Sequence, residues 1–396
     1  MKKYNFDEEI DRKGTQSVKW DKNISTSAKE VFPLWVADMD FVCSDAIIDA
    51  LHEQANHRIF GYNTGFDTNY RNCVCSWFKK RFDWEIDPST IFYAGGVVPA
   101  LSYLIEILSE KGDGVVIQTP VYYPFAKKIK ARERRVVENQ LLNTNGNYTM
   151  DFQDLEQKLA REDVKGMILC SPHNPVGRVW KQEELERVIE IAQRYHKWII
   201  SDEIHCDLVR NEFHHIPLLK IGKAYQDHII TCCAPSKSFN LAGLANSNII
   251  IPSKEIQQKW IAYVQECLSL SGPNSFALSA TKAAYLEGEE WLDQVNTYIG
   301  KNIEFTREYL GEHLPECIVS PSEGTYLVWV DVRNYCKNKD CLEKTLLEHG
   351  IILDEGYLFG EAGSGFERIN VACSKDLLAR CLSVFVKAIK GIKENV

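Results

Sequence analysis

The stretch Glu183-Glu184-Leu185-Glu186-Arg187-Val188-Ile189-Glu190-Ile191-Ala192-Gln193-Arg194-Tyr195, followed by Trp198-Ile199-Ile200-Ser201-Asp202-Glu203-Ile204-His205, decides the reading of the fold. Leu185, Val188, Ile189 and Ala192 recur at helical spacing, so residues 183–195 predict an amphipathic helix. Two residues later an uninterrupted apolar run predicts a buried strand that ends on a carboxylate. The same unit repeats outward in both directions. Ile91-Phe92-Tyr93, Val115–Ile117, Gly166–Cys170, His228–Cys232 and Asn248–Ile251 read as strands, and Ala100–Leu108 as a helix. Such alternation predicts an α/β fold: a mainly parallel seven-stranded sheet covered by helices, with its site beyond the carboxyl ends of the strands.

The two ends of the chain fit this pattern poorly. A long helix over about 291–312 and strands at Thr325–Val330 and Glu367–Val371 predict a small α+β domain. The expected division is an N-terminal segment 1–45 joining the small domain, a large domain 46–288 and the small domain 289–396. The start, Met1-Lys2-Lys3-Tyr4-Asn5-Phe6, has no apolar signal core, and no apolar run approaches the roughly 20 residues of a membrane helix. A cytoplasmic protein with no membrane role is therefore expected. The net charge of −9 argues against nucleic acid as a partner. The one basic cluster, Arg132-Glu133-Arg134-Arg135, predicts a solvated helix end. Thirteen cysteines form an odd set with no Cys-x-x-Cys spacing, so they are expected to be reduced packing residues.

Four polar oddities stand where strands end. Gly95-Gly96-Val97-Val98-Pro99 follows a strand and opens a helix; it is either a tight turn or a phosphate cradle of backbone amides. Ser171-Pro172-His173-Asn174-Pro175 places an amide at a strand end, where it forms an Asx turn or donates to a phenolate or carboxylate. Asp202 ends an apolar strand, where an unpaired carboxylate is costly and a cation such as a protonated pyridine nitrogen would relieve it. Metal binding by Asp202 with His205 is the competing reading, but no third ligand of matching type is evident, so no metal is expected. The fourth is Ala234-Pro235-Ser236-Lys237-Ser238-Phe239-Asn240, a lysine among small and apolar neighbours. It is a surface loop residue or an amine made nucleophilic by burial.

The order of these elements resembles the fold-type I pyridoxal-phosphate (PLP) enzymes of the aspartate aminotransferase superfamily. Asp202 follows Asn174 by 28 residues and Lys237 follows Asp202 by 35. Within that superfamily, Trp35-Val36-Ala37-Asp38-Met39-Asp40-Phe41, Phe60-Gly61-Tyr62, Asp202-Glu203-Ile204-His205 and Lys237–Gly243 resemble the MalY/PatB-type cystathionine β-lyases. The resemblance implies that Lys237 holds pyridoxal 5'-phosphate as a Schiff base and moves protons, with Asp202 paired to the pyridine nitrogen and Asn174 on the phenolic oxygen. It further implies that Tyr122 stacks on the ring, with Tyr123 as the alternative. Gly96, Val97 and Ser236 would take the phosphate, His205 would adjoin the cofactor, and Tyr62 would reach in from the second subunit of a homodimer. Arg368, which by itself would pass as a surface strand residue, would grip the substrate carboxylate, with Asn174, Ala37 and Tyr62 completing the substrate site.

Two positions depart from the aminotransferase pattern. His205 stands where a tyrosine is usual, and Ala245 stands where many aminotransferases carry a phosphate-binding arginine. Both match the C–S lyase branch. The implied reaction is α,β-elimination from L-cystathionine or another L-cysteine S-conjugate. An aminotransferase, or a PLP-bound regulatory or interaction protein, remains as the alternative reading.

Overall fold

The apolar run Trp198–Asp202 is buried along its whole length, which follows from its place in the middle of a sheet covered on both faces. In the computed structural model, which describes residues 2–22, 26 and 28–394, that sheet has seven strands. They are β1 (Ile91–Ala94), β2 (Gly114–Ile117), β3 (Arg135–Glu138), β4 (Val164–Cys170), β5 (Trp198–Asp202), β6 (Ile229–Cys233) and β7 (Ser247–Ile250). Their spatial order is β1-β7-β6-β5-β4-β2-β3. The pairs β3–β2–β4–β5–β6 are parallel and β7 is antiparallel to both neighbours. The sheet is thus mainly parallel, as its alternation with helices requires. Helices Val97–Leu108 (α1) and Gln182–Arg194 (α2) cross between strands, and α2 buries Leu185, Val188, Ile189 and Ala192.

The edge strand β3 escapes the periodicity because only four residues form it, one of them Arg135. Here the expectation of a solvated basic cluster needs correction. The preceding helix does end at Ala131, but Arg134 is buried: its Nη1 donates to Glu106 Oε2 at 3.0 Å and its Nε to Ser109 Oγ at 3.1 Å. A buried guanidinium is stable here because acceptors surround it.

A 25-residue helix, α3 (Glu289–His313), leads into a second, antiparallel sheet of β8 (Ile318–Val319), β9 (Leu327–Asp331), β10 (Asp354–Glu355) and β11 (Phe366–Asn370), in the order β8-β9-β11-β10. Near the N-terminus, Phe32–Pro33 pairs in parallel with Ile351–Ile352, so the start of the chain lies with its last third. Residues 1, 23–25 and 27 of the expected N-terminal segment, and 395–396 of the expected small domain, lie outside the described residues.

Among the described residues no helix is long and apolar enough to cross a membrane, and no group of three or more His, Cys, Asp or Glu is placed to hold a metal ion. All thirteen cysteines are free thiols.

Candidate active site

The carboxyl ends of β4, β5 and β6 open on one side of the large sheet, and the polar residues singled out above follow them. Asp202 is the last residue of β5 and is 4% exposed. Its Oδ1 accepts from the Ile204 amide at 3.1 Å. Burial pushes its carboxyl up to about 7; the Ile204 amide and the charge of Lys237 pull the other way, and Glu203 adds to the rise. Lys237 sits on the short helix Pro235–Ser238 after β6, partly buried, with Nζ donating to Ala37 O at 2.6 Å. Burial, then the Arg368 charge, lowers its amine to about 8, against the opposing carboxylates Asp38 and Asp202. A lysine so placed keeps a substantial neutral fraction near neutrality, which a surface lysine does not.

Asn174 lies in the loop after β4. Its Oδ1 accepts from Arg368 Nη1 at 3.1 Å, and its carbonyl accepts from the Tyr122 amide at 3.0 Å. Arg368, on β11, is 2% exposed. Its Nη2 donates to Trp35 O at 2.8 Å and pairs with Asp354, its Cζ lies 4.9 Å from the Phe359 ring centroid, and its Nε has no partner among the described residues. The guanidinium is therefore anchored through both Nη atoms, while its buried Nε keeps a donor to spare. Tyr122 and Tyr123 are neighbours at 5.6 Å between rings. Burial raises the Tyr122 phenol well above its ordinary value, with Tyr123 adding to the effect. His205 is buried, its ring edge-on to Tyr326 at 5.8 Å and its Nδ1 without a hydrogen-bond partner among the described residues. Burial, Lys237 and Arg368 hold its imidazole far below the usual range, so it is neutral.

Gly96 caps α1 with φ 134°, a backbone that residues with a Cβ rarely adopt, and Val97 is the first helical residue. Ser236 is on the same short helix as Lys237. Ala245 is exposed at φ 51° and accepts from Tyr93 Oη at 3.4 Å through its carbonyl. Tyr62 stands apart: it is fully exposed in a surface depression that Ile59 and Leu286 also line, and this single chain does not bring it into the site.

Several contributors escaped the sequence reading. Tyr326 Oη donates to Ala37 O at 2.8 Å, the same carbonyl that receives Lys237. Asn370 Nδ2 donates to Val36 O at 2.6 Å and Asp38 O at 2.7 Å, fixing the segment that carries Ala37. Asp354 braces Arg368. Their only local signal was position: Tyr326 and Asn370 border apolar strands, and Asp354 follows Ile351-Ile352.

Residues 29–385 match the family model described as aminotransferase class I and II. The chain is 41% identical to the cystathionine β-lyase PatB of Bacillus subtilis over 93% of its own length and 96% of that protein's. It is 32% identical to the protein MalY of Escherichia coli, covering 98% and 100% of the two chains. Cystalysin of Treponema denticola, whose crystal structure contains pyridoxal 5'-phosphate, superposes with a TM-score of 0.94 at 36% identity, covering 99% of this chain and all of that one. This chain belongs to the class I and II aminotransferase family, in the branch of PatB and MalY.

The residues present suit that cofactor. A buried carboxylate with no cationic side chain hydrogen-bonded to it among the described residues, a lowered lysine amine and a helix opened by Gly96 suit a pyridinium, a carbonyl carbon and a phosphate respectively.

Proposed function

We propose that this chain is a PLP-dependent carbon–sulfur β-lyase, converting L-cystathionine or another L-cysteine S-conjugate, with water, to a thiol, pyruvate and ammonia. The observation that carries the proposal is that one site joins a lysine lowered to about 8, a buried carboxylate raised to about 7, and an arginine fork with a free Nε. A chain 41% identical to a cystathionine β-lyase supports the choice of reaction.

When bound, the cofactor supplies an electron sink for the charge left at Cα. Lys237 would hold it covalently, and then, as a free amine, remove the Cα proton and return a proton to the departing sulfur. Asp202 would pair with the pyridinium, and Asn174 would donate to the phenolic oxygen. Tyr122 is our choice for the stacking ring, with Tyr123 beside it, and His205 would lie against the cofactor as a neutral neighbour. Gly96, Val97 and Ser236 would take the phosphate, a task in which Ala245 cannot help. Arg368 would clamp the substrate carboxylate, with Asn174 and Ala37 bordering the same space.

The reading extends to assembly. A second copy would supply Tyr62, and the exposed apolar residues Ile59, Tyr62 and Leu286 around one depression form a surface such a homodimer would cover. The large domain would span 46–288 and the small domain 289–396 with 1–45, in a cytoplasmic enzyme.

Incubation with L-cystathionine alone tests the activity. Equimolar pyruvate and free thiol are expected. Their absence, with turnover restored by a 2-oxo acid, would instead make the protein an aminotransferase.

A further inference from the structure

Another buried guanidinium, unlike Arg134 and Arg368, lies without acceptors and away from the catalytic residues. Arg210, in the segment leading out of β5, is only 8% exposed, yet none of Nε, Nη1 and Nη2 has a hydrogen-bond partner among the described residues. An arginine carries five N–H donors and cannot lose its charge in a protein, so leaving all of them unmet in the interior is costly. Glu323, which also lines the space described next, accepts at Oε2 from Arg178 Nε at 2.9 Å and from the Val179 amide at 2.8 Å, so that oxygen is already engaged.

Arg210 lines a cavity of about 380 Å3 between its own loop, helix α3 and the 321–323 turn. That is room for several waters at about 30 Å3 each. Asn296 lines the same cavity with an unpartnered Oδ1, its Nδ2 being spent on Asp207 O at 2.8 Å. Lys301 and Arg307 add positive charge from the exposed face of α3. Glu212 and Glu304 are also on the lining, and Glu212 is the one charged group that supports the Arg210 charge against burial.

We propose that this cavity is a binding site for a small oxyanion of the phosphate or carboxylate class, held by the Arg210 fork. A hydroxyl or protonated oxygen on the anion would donate to Asn296 Oδ1. The site is independent of the proposed lyase reaction. It joins the loop after β5 to the turn before β9: the Arg210 amide donates to Glu323 O at 2.9 Å and Thr325 to Leu208 O at 2.7 Å. An occupant would therefore tie the large sheet to the small one.

The test uses holoenzyme and two probes. Melting temperature is followed in inorganic phosphate against chloride at equal ionic strength, and crystals are soaked in selenate to locate the ion by anomalous scattering. A rise of a few degrees in phosphate is expected, absent in Arg210→Gln and reduced in Arg307→Gln, with a selenate peak beside Arg210. Arg307 is exposed, so its variant reports even where Arg210→Gln does not fold. No rise in the unmodified enzyme, or an equal rise in it and in every variant that folds, would overturn the proposal. So would a crystal structure with Glu212, Glu304 or the Oε1 of Glu323 turned onto Arg210.

Discussion

Asp40 and Asp202 are both buried aspartates, 7% and 4% exposed, yet their environments drive them in opposite directions. Asp40 receives Lys19 Nζ at 2.6 Å, Arg12 Nη1 at 2.6 Å and Trp20 Nε1 at 2.9 Å. Burial alone would raise its carboxyl, but Lys19, Trp20 and Arg12 together hold it below the ordinary value. Asp202 has one backbone amide and, at a distance, Lys237; burial wins and the carboxyl rises to about 7. The first aspartate is completed by the chain and ties the N-terminal segment down. The second has no cationic side chain hydrogen-bonded to it among the described residues, which is the place proposed above for the pyridinium.

The contrast can be broken by substitution. Lys237→Ala removes the proposed covalent anchor and base, so a loss on the order of 10⁴-fold in pyruvate release is expected, with no borohydride-reducible adduct. Asp202→Asn removes the charge proposed to face the pyridinium. At an effective dielectric of ~20 and ~4 Å that attraction is about 4 kcal/mol, so kcat should fall roughly 10³-fold while the fold persists. Asp40→Asn should do the reverse. It leaves Lys19 and Arg12 short of a counter-charge and should cost about 3 kcal/mol in denaturant unfolding, with smaller effects on kcat. A large kinetic loss with unchanged stability in Asp40→Asn would erase the distinction.

Arg368→Lys keeps a charge but loses the fork. An interaction worth about 1.5–3 kcal/mol should vanish, seen as KM rising by about one to two orders of magnitude. The smallest effect is in pH dependence of the cofactor-free chain. Asp202 binds a proton on folding between its unfolded value of about 3.9 and about 7, so its contribution to stability declines as pH rises through that window. Asp40, depressed in the fold, contributes stability above its unfolded value and loses it as pH falls through its lowered one. Denaturant titrations at pH 5 and 8 should therefore show Asp202→Asn gaining stability relative to the unmodified chain as pH rises. An unchanged difference would contradict the raised carboxyl.

Much of this was legible without coordinates. Helix α2 and strand β5 announced themselves because each buries a continuous apolar face, and periodicity records that directly. Asp202 and Lys237 were visible because a charged residue beside an apolar strand is an anomaly at short range. The basic cluster misled for the complementary reason: Arg134 is paired with Glu106 and Ser109, which lie more than twenty residues earlier. Edge strand β3 has too few apolar residues to register.

By itself the sequence determined the order of strands and helices, the mainly parallel sheet and the chemistry-bearing residues at its carboxyl edge. These depend on patterns within a few residues. Only the tertiary structure decided that Arg368 reaches Asn174 across 194 positions and Trp35 across 333, and that Lys237 rests on Ala37 across 200. Such contacts, and the raised and lowered acidities they create, arise from burial and distance in space, which no local spacing encodes. Tyr62 lies beyond both, on a surface that one chain alone leaves open.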